Sequence, residues 1–82
     1  MKKETAKKRI ENSINRDFHN ETKEVRDYLI EVIMLTFENL ELDYYACKDD
    51  GTPYTSTENL NYALQTIDEC LLEEARRNAN RR

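Results

Sequence analysis

The apolar residues between positions 4 and 18 recur at every fourth residue, within a segment that is otherwise charged or polar. These residues are Ala6, Ile10, Ile14 and Phe18. Steps of four place them on one side of an α-helix. The pattern predicts a first helix over about residues 4–18, with an apolar stripe so narrow that the helix must pack against another element. In the segment that follows, Asn20 or Thr22 has the side chain of an N-cap for the next helix.

The second predicted helix, about residues 22–46, is apolar around most of its circumference. Eight large apolar or aromatic side chains fall within ten positions, from Tyr28 to Phe37, and only Glu31 and Thr36 interrupt them. On a helical wheel, roughly two thirds of the circumference is apolar over about three turns. One face carries Val25, Leu29, Val32, Ile33 and Leu40; a second carries Ile30, Met34 and Phe37; Tyr28 and Leu35 lie on a third. Such a helix contacts neighbours on at least two sides.

The one clear break in the pattern follows this helix. Asp50-Gly51 and Thr52-Pro53 are turn pairs, and Thr55 with Glu58 fits a capping box. A third helix is predicted over about residues 56–79, because one apolar face recurs at Leu60, Leu64, Ile67, Leu71 and Ala75. A short loop between two long helices predicts an antiparallel helical hairpin.

The predicted fold class is therefore all-α: one small domain, residues 1–82, with a helical hairpin and an additional N-terminal helix. The first helix brings too few large apolar residues to cover the remaining faces of helix 2. Large exposed apolar patches usually mark interaction sites. We predict that helix 2 binds a second copy of the chain or another protein, with Met34 and Phe37 exposed in an isolated protomer. The alternative is the central helix of a three-helix monomer. The predicted partner-binding residues are Tyr28, Ile30, Met34, Leu35, Phe37, Tyr44 and Tyr45.

The composition favours helices and limits the core. The 82 residues include one Gly and one Pro, and 37% are charged. A chain of this size buries roughly 60–65% of its unfolded surface, so we expect a stability of only a few kcal/mol. No apolar run of about 18 residues is present, so we expect no transmembrane segment. The basic N-terminus lacks the apolar region of a secretory signal, which favours a cytoplasmic protein.

Charge is distributed unevenly along the chain. Residues 1–9 carry five Lys or Arg against one Glu, and residues 76–82 carry four Arg, so each end has a local charge of +4. Because the whole chain carries −4, the body between the ends carries −12. The basic ends could neutralise a few phosphates of a nucleic acid, whereas the acidic body would repel it. An acidic helical body that mimics DNA is a further alternative.

No arrangement of residues predicts an enzyme. The carboxylate pairs Asp49-Asp50 and Glu73-Glu74 are adjacent in sequence rather than convergent, and His19 lacks a nucleophile or acid at a recognisable spacing. Cys47 and Cys70 with one His cannot supply the four ligands of a zinc site, and we expect free thiols. A single Gly excludes a Gly-rich phosphate loop. We therefore expect no catalytic residues, no cofactor and no metal.

The whole chain resembles the small early proteins of T-even bacteriophages, and in particular their RIII family of cytoplasmic antiholins. The resemblance extends from MKKETAKKRIENSINRDF through DYYACKDDGTPY to EEARRNANRR, in an acidic, Gly-poor chain rich in Lys, Asn, Glu and Tyr. It implies a protein of the host cytoplasm that binds the cytoplasmic portion of a holin and delays lysis. It assigns no residue roles. Phage inhibitors of host enzymes or defence complexes have a similar amino-acid composition, and such an inhibitor is the alternative.

Overall fold

A computed structural model, which describes residues 1–42 and 47–80, contains four α-helices in that part of the chain. They are α1 (Lys3–Asp17), α2 (Lys23–Leu42), α3 (Ser56–Gln65) and α4 (Glu69–Asn80). Within the described residues, β pairing is limited to a single bridge between Cys47 and Pro53. The predicted all-α class is confirmed. The predicted extension of the second helix to residue 46 lies outside the described residues.

The central helix is α2, against which α1, α3 and α4 all pack. Contacts at both ends fix the direction of α1. Lys3 forms an ion pair of 2.9 Å with Glu38, near the end of α2. Arg26, near the start of α2, donates a hydrogen bond of 3.2 Å to the side-chain oxygen of Asn15. The first helix therefore runs antiparallel to α2 along most of its length.

The prediction of one continuous third helix over residues 56–79 is wrong, because the chain breaks at residues 66–68. The backbone N–H and the hydroxyl of Thr66 both donate to the carbonyl oxygen of Ala63, at 3.2 and 2.6 Å, which ends α3. The carboxylate of Asp68 then accepts a hydrogen bond of 2.9 Å from the N–H of Leu71. This is the N-cap geometry that starts a new helix.

The break lets α3 and α4 lie one after the other along α2. Beside the C-terminal half of α2, Glu41 accepts hydrogen bonds from Ser56 and Asn59 of α3, at 3.0 and 2.9 Å. Beside the N-terminal half, Tyr28 donates a hydrogen bond of 3.0 Å to Glu74 of α4. The α3–α4 segment therefore runs antiparallel to α2.

The start signals predicted for two helices are present in the structure. Thr22, rather than Asn20, caps α2 by accepting a hydrogen bond of 3.3 Å from the N–H of Val25. Thr55 caps α3 by accepting from the N–H of Glu58 at 3.2 Å. These local signals act through the backbone of one turn, so they can be found without knowledge of the tertiary fold.

The core joins the narrow stripe of α1 to the apolar side of α2. Its largest fully buried side chains are Ile10, Ile14, Leu29 and Ile33. Met34 and Phe37 also belong to it, with exposures of 8% and 3%. The prediction that these two are exposed in an isolated protomer is wrong, because the packing of the other three helices against α2 buries both side chains within one chain.

Replacing a core residue should destabilise the protein far more than replacing a surface Leu of the same helix. Ile33 is 0% exposed and Leu35 is 54% exposed. We expect Ile33→Ala to reduce the free energy of unfolding by roughly 2–5 kcal/mol, through lost burial and the cavity that remains. Leu35→Ala should change it by only about 0.5 kcal/mol or less. Urea denaturation followed by circular dichroism measures both, and equal losses would contradict this packing.

Acid should weaken the contact between the α1–α2 turn and α4. Arg76 of α4 pairs with Glu21, and this hydrogen bond lowers the pKa of Glu21 below its ordinary value of 4.5. A carboxylate whose pKa is lowered by folding stabilises the fold above its unfolded pKa, and that stability is lost as the pH falls through the folded pKa. Because the pair is solvated, its effect is small and screened by salt.

Arg76→Gln should therefore flatten the decline of melting temperature between about pH 5 and pH 3 at low ionic strength. Arg77→Gln is the matched control, since it removes a neighbouring positive charge for which no ion pair occurs within the described residues. Differential scanning fluorimetry at several pH values measures both variants. The same flattening in Arg77→Gln would assign the effect to net charge and not to the pair.

Candidate interaction surface

A groove between α1 and α2, here called the α1–α2 groove, encloses about 410 Å³. No residue of α3 or α4 lines it. Its lining residues are Lys3, Lys7, Glu11, Asp27, Ile30, Glu31, Met34, Leu35 and Glu38. Residues 3, 7 and 11 form one row along α1, because steps of four keep them on one side of that helix. The groove therefore follows the antiparallel helix pair.

The apolar part of this groove consists of three α2 residues. Met34 forms its most buried part, Ile30 is half-buried, and Leu35 is 54% exposed. Exposed single Leu residues are ordinary on protein surfaces. Leu35 differs because it lines this concave surface from the neighbouring face of α2, where another molecule's side chain could cover it.

Charged side chains surround this apolar part of the groove. Four carboxylates and two lysines line the groove, which gives it a net charge of −2. Lys3 is 2.9 Å from Glu38, and Lys7 is 4.0 Å from Glu11. Both lysines thus have a carboxylate near them, and the excess charge of the groove is negative.

The structure separates the predicted partner-binding residues into several locations. Tyr28 is half-buried on the side of α2 that faces α4, and its hydrogen bond to Glu74 raises the pKa of its hydroxyl. Phe37 is buried in the core. Tyr44 and Tyr45 lie outside the described residues. The residues that the structure does bring together in the α1–α2 groove are Ile30, Met34 and Leu35.

The charged residues that α1 contributes were not predicted from the sequence. Lys3, Lys7 and Glu11 read as a solvated helix face, and their spacing shows only that they share one side of α1. Which part of α2 lies beside them follows from the antiparallel packing of the two helices. The four-residue spacing of these α1 side chains is visible in the sequence, whereas the part of α2 that they face is not.

A second hollow, of about 380 Å³, lies between the end of α2 and α3. It includes Tyr54 and Tyr62, which are 47% and 59% exposed, and Leu40. Its one carboxylate, Glu58, pairs with Lys48 at 2.9 Å, which lowers the pKa of Glu58. This hollow has a comparable size but lacks the acidic excess of the α1–α2 groove, which makes it a suitable control surface.

Groups that could carry chemistry remain apart in the described part of the chain. No cluster of three or more His, Cys, Asp or Glu residues there is placed to hold a metal ion. Cys47 and Cys70 are free and exposed. His19 is exposed, with its Nδ1 atom 3.1 Å from the carbonyl oxygen of Arg16. None of the helices described is both long and apolar enough to cross a membrane.

Comparisons of the chain with protein-family models, with curated proteins and with solved structures gave no significant match. No residue role is therefore transferred from a relative, and the groove is interpreted from its own geometry and charge. The resemblance to the T-even antiholins stays a prediction.

Proposed function

We propose that this protein is a non-enzymatic regulator that binds another protein and acts by occupying it. The observation that supports this proposal is the α1–α2 groove, which is lined by Ile30, Met34 and the exposed Leu35 together with charged side chains. An apolar centre within a polar border is the usual anatomy of a protein interface. The apolar contacts supply affinity, and the charges set orientation and the rate of encounter.

The size of the molecule limits the kind of complex it can form. A standard interface takes about 800 Å² from each partner, which is roughly 13% of the 6023 Å² surface of this chain. The groove alone offers less than that, so a partner must also contact the neighbouring surfaces of α1 and α2. An interface with a small apolar centre dissociates readily, which suits a regulator that must release its target.

The resemblance to the T-even antiholins makes the cytoplasmic portion of a holin the first partner to test. In this proposal, the protein covers that portion and keeps it from associating with other copies of the holin, and lysis is delayed. One small domain is sufficient for such a role. Covering a target requires only a contact surface, whereas catalysis would also require convergent reactive groups. A phage inhibitor of a host enzyme would use the same surface on a different target.

Leu35→Ser should abolish the delay of lysis, and Tyr62→Ser should retain it. The two side chains are similarly exposed, at 54% and 59%, and each lies in a hollow of comparable size. They differ in that only Leu35 belongs to the α1–α2 groove. The experiment co-expresses the chain with the phage holin in a bacterial host and follows optical density. Calorimetric titration of the purified chain with the cytoplasmic segment of the holin checks binding directly.

Three results would contradict parts of this proposal. If the wild-type chain is expressed and folded but neither delays lysis nor binds the segment, the holin is the wrong partner. If both variants lose the delay equally while circular dichroism shows intact helices, the groove is the wrong surface. A salt-sensitive mobility shift with generic DNA, reduced by Lys8→Gln/Arg9→Gln, would favour nucleic-acid binding by the basic ends instead.

A further inference from the structure

The antiparallel pair of α1 and α2 has two sides on which a third helix can pack. Helices in bundles lie in the grooves between neighbouring helices. One side of this pair is occupied by α3, which contacts both α1 and α2. The other side is the α1–α2 groove, and its lining comes from α1 and α2 alone. Within this chain, neither α3 nor α4 fills the groove, although it lies where a further helix would pack against the pair.

The length of the groove fits a short helical segment. Lys3 and Glu38 lie at one end, and Glu11 and Asp27 at the other. Residues 27–38 of α2 span about 17 Å at 1.5 Å per residue, which corresponds to roughly three helical turns. The groove presents no sheet edge to pair with an extended peptide, whereas a helix satisfies its own backbone hydrogen bonds.

The charges of the groove indicate which charge a binding segment should carry. Lys3 is occupied by Glu38, and Asp27 is bonded by Lys23 at 3.0 Å. Glu31 lies one helical turn before Leu35, and none of the ion pairs within the described residues involves it. Because Lys23 neutralises Asp27, the lining residues and Lys23 together carry −1, and an arriving segment meets that excess at Glu31, beside the exposed Leu35.

A second copy of this chain does not supply a matching segment. Its basic helix is α1, but the apolar stripe of that helix is buried in its own core, with Ala6 and Ile10 at 0% exposure. Presenting this stripe to another copy would require the donor to unfold. Residues 10–75 carry −12, so two folded copies would also repel each other at an acidic groove.

We infer that the α1–α2 groove binds a basic amphipathic helix of about three turns, with apolar residues over Ile30 and Leu35 and a Lys or Arg at Glu31. This inference rests on the proposed function, since it specifies the chemistry of the partner segment at the same surface. Burial of the apolar stripe holds the segment, and the charge contact sets its direction and discriminates against acidic helices.

The test uses the full chain and two labelled 18-residue peptides with the same Leu stripe, one with Lys and one with Glu on its flanks. Fluorescence anisotropy at about 50 mM salt should show the Lys peptide binding roughly tenfold or more tightly than the Glu peptide, with the preference reduced at about 500 mM salt. Leu35→Ser should weaken the Lys peptide about tenfold, because it removes the exposed apolar contact.

Two charge reversals distinguish a charge contact within the groove from a general electrostatic attraction to the protein. Glu31→Lys should weaken the Lys peptide about fivefold or more, while Glu73→Lys, the same charge change at an exposed residue of α4, should have less effect. Equal effects of the two reversals would overturn the inference, as would a Glu peptide that binds as tightly or an intact Leu35→Ser variant with unchanged affinity. A dimer in sedimentation that Leu35→Ser abolishes would assign the groove to a second copy and also overturn it.

The outcomes distinguish this inference from the proposed function. A delay of lysis that depends on Leu35, together with no preference for the Lys peptide, overturns the inference and leaves the regulatory function standing. The predicted peptide preference, together with a holin that is unaffected by the chain, supports the inference and replaces the holin with another partner that carries a basic helix.

Discussion

The fold depends on the burial of one helix by all the others. Leu29 and Ile33 of α2 are 0% exposed, and α1, α3 and α4 each contact that helix. In an 82-residue chain with 37% charged residues, no other segment has enough apolar surface to form a core. Because roughly 25 cal/mol is gained for each Å² of apolar surface removed from water, covering α2 is the dominant favourable term. The remaining helices are arranged by the sides of α2 that they cover.

The break between α3 and α4 is part of this arrangement. The hydrogen bonds of Thr66 to Ala63 end one helix, and the carboxylate of Asp68 starts the next. Both elements then lie against α2, with Ala63 and Ala75 fully buried. The contacts of Glu41 with Asn59 and of Tyr28 with Glu74 hold the two elements at opposite ends of α2. The local geometry of three residues thus decides how a long apolar stripe is divided between two helices.

The same packing defines the surface that remains available to a partner. With Met34 and Phe37 buried, the apolar residues of α2 that the α1–α2 groove still exposes to a partner are Ile30 and Leu35. The charged residues at its border come from both helices, and their excess is acidic. A small apolar surface with a defined charge favours a selective and reversible contact over a permanent one. This is the physical basis on which we propose a regulator that acts by occupancy.

The sequence by itself determined the helical class, the approximate extent of α1, the start of α2, and the caps at Thr22 and Thr55, since periodicity and capping act within a few residues. It also gave Ile30, Met34 and Leu35 as candidate partner-binding residues; the structure brings these three into one groove, and their binding role stays a prediction. Only the tertiary structure decided that Met34 and Phe37 are core residues, that the third helix breaks at Thr66, and that Lys3 and Lys7 border the groove. Periodicity gives the face of a helix on which a residue lies, but burial depends on which neighbour covers that face, and that is set by contacts between residues far apart in the chain.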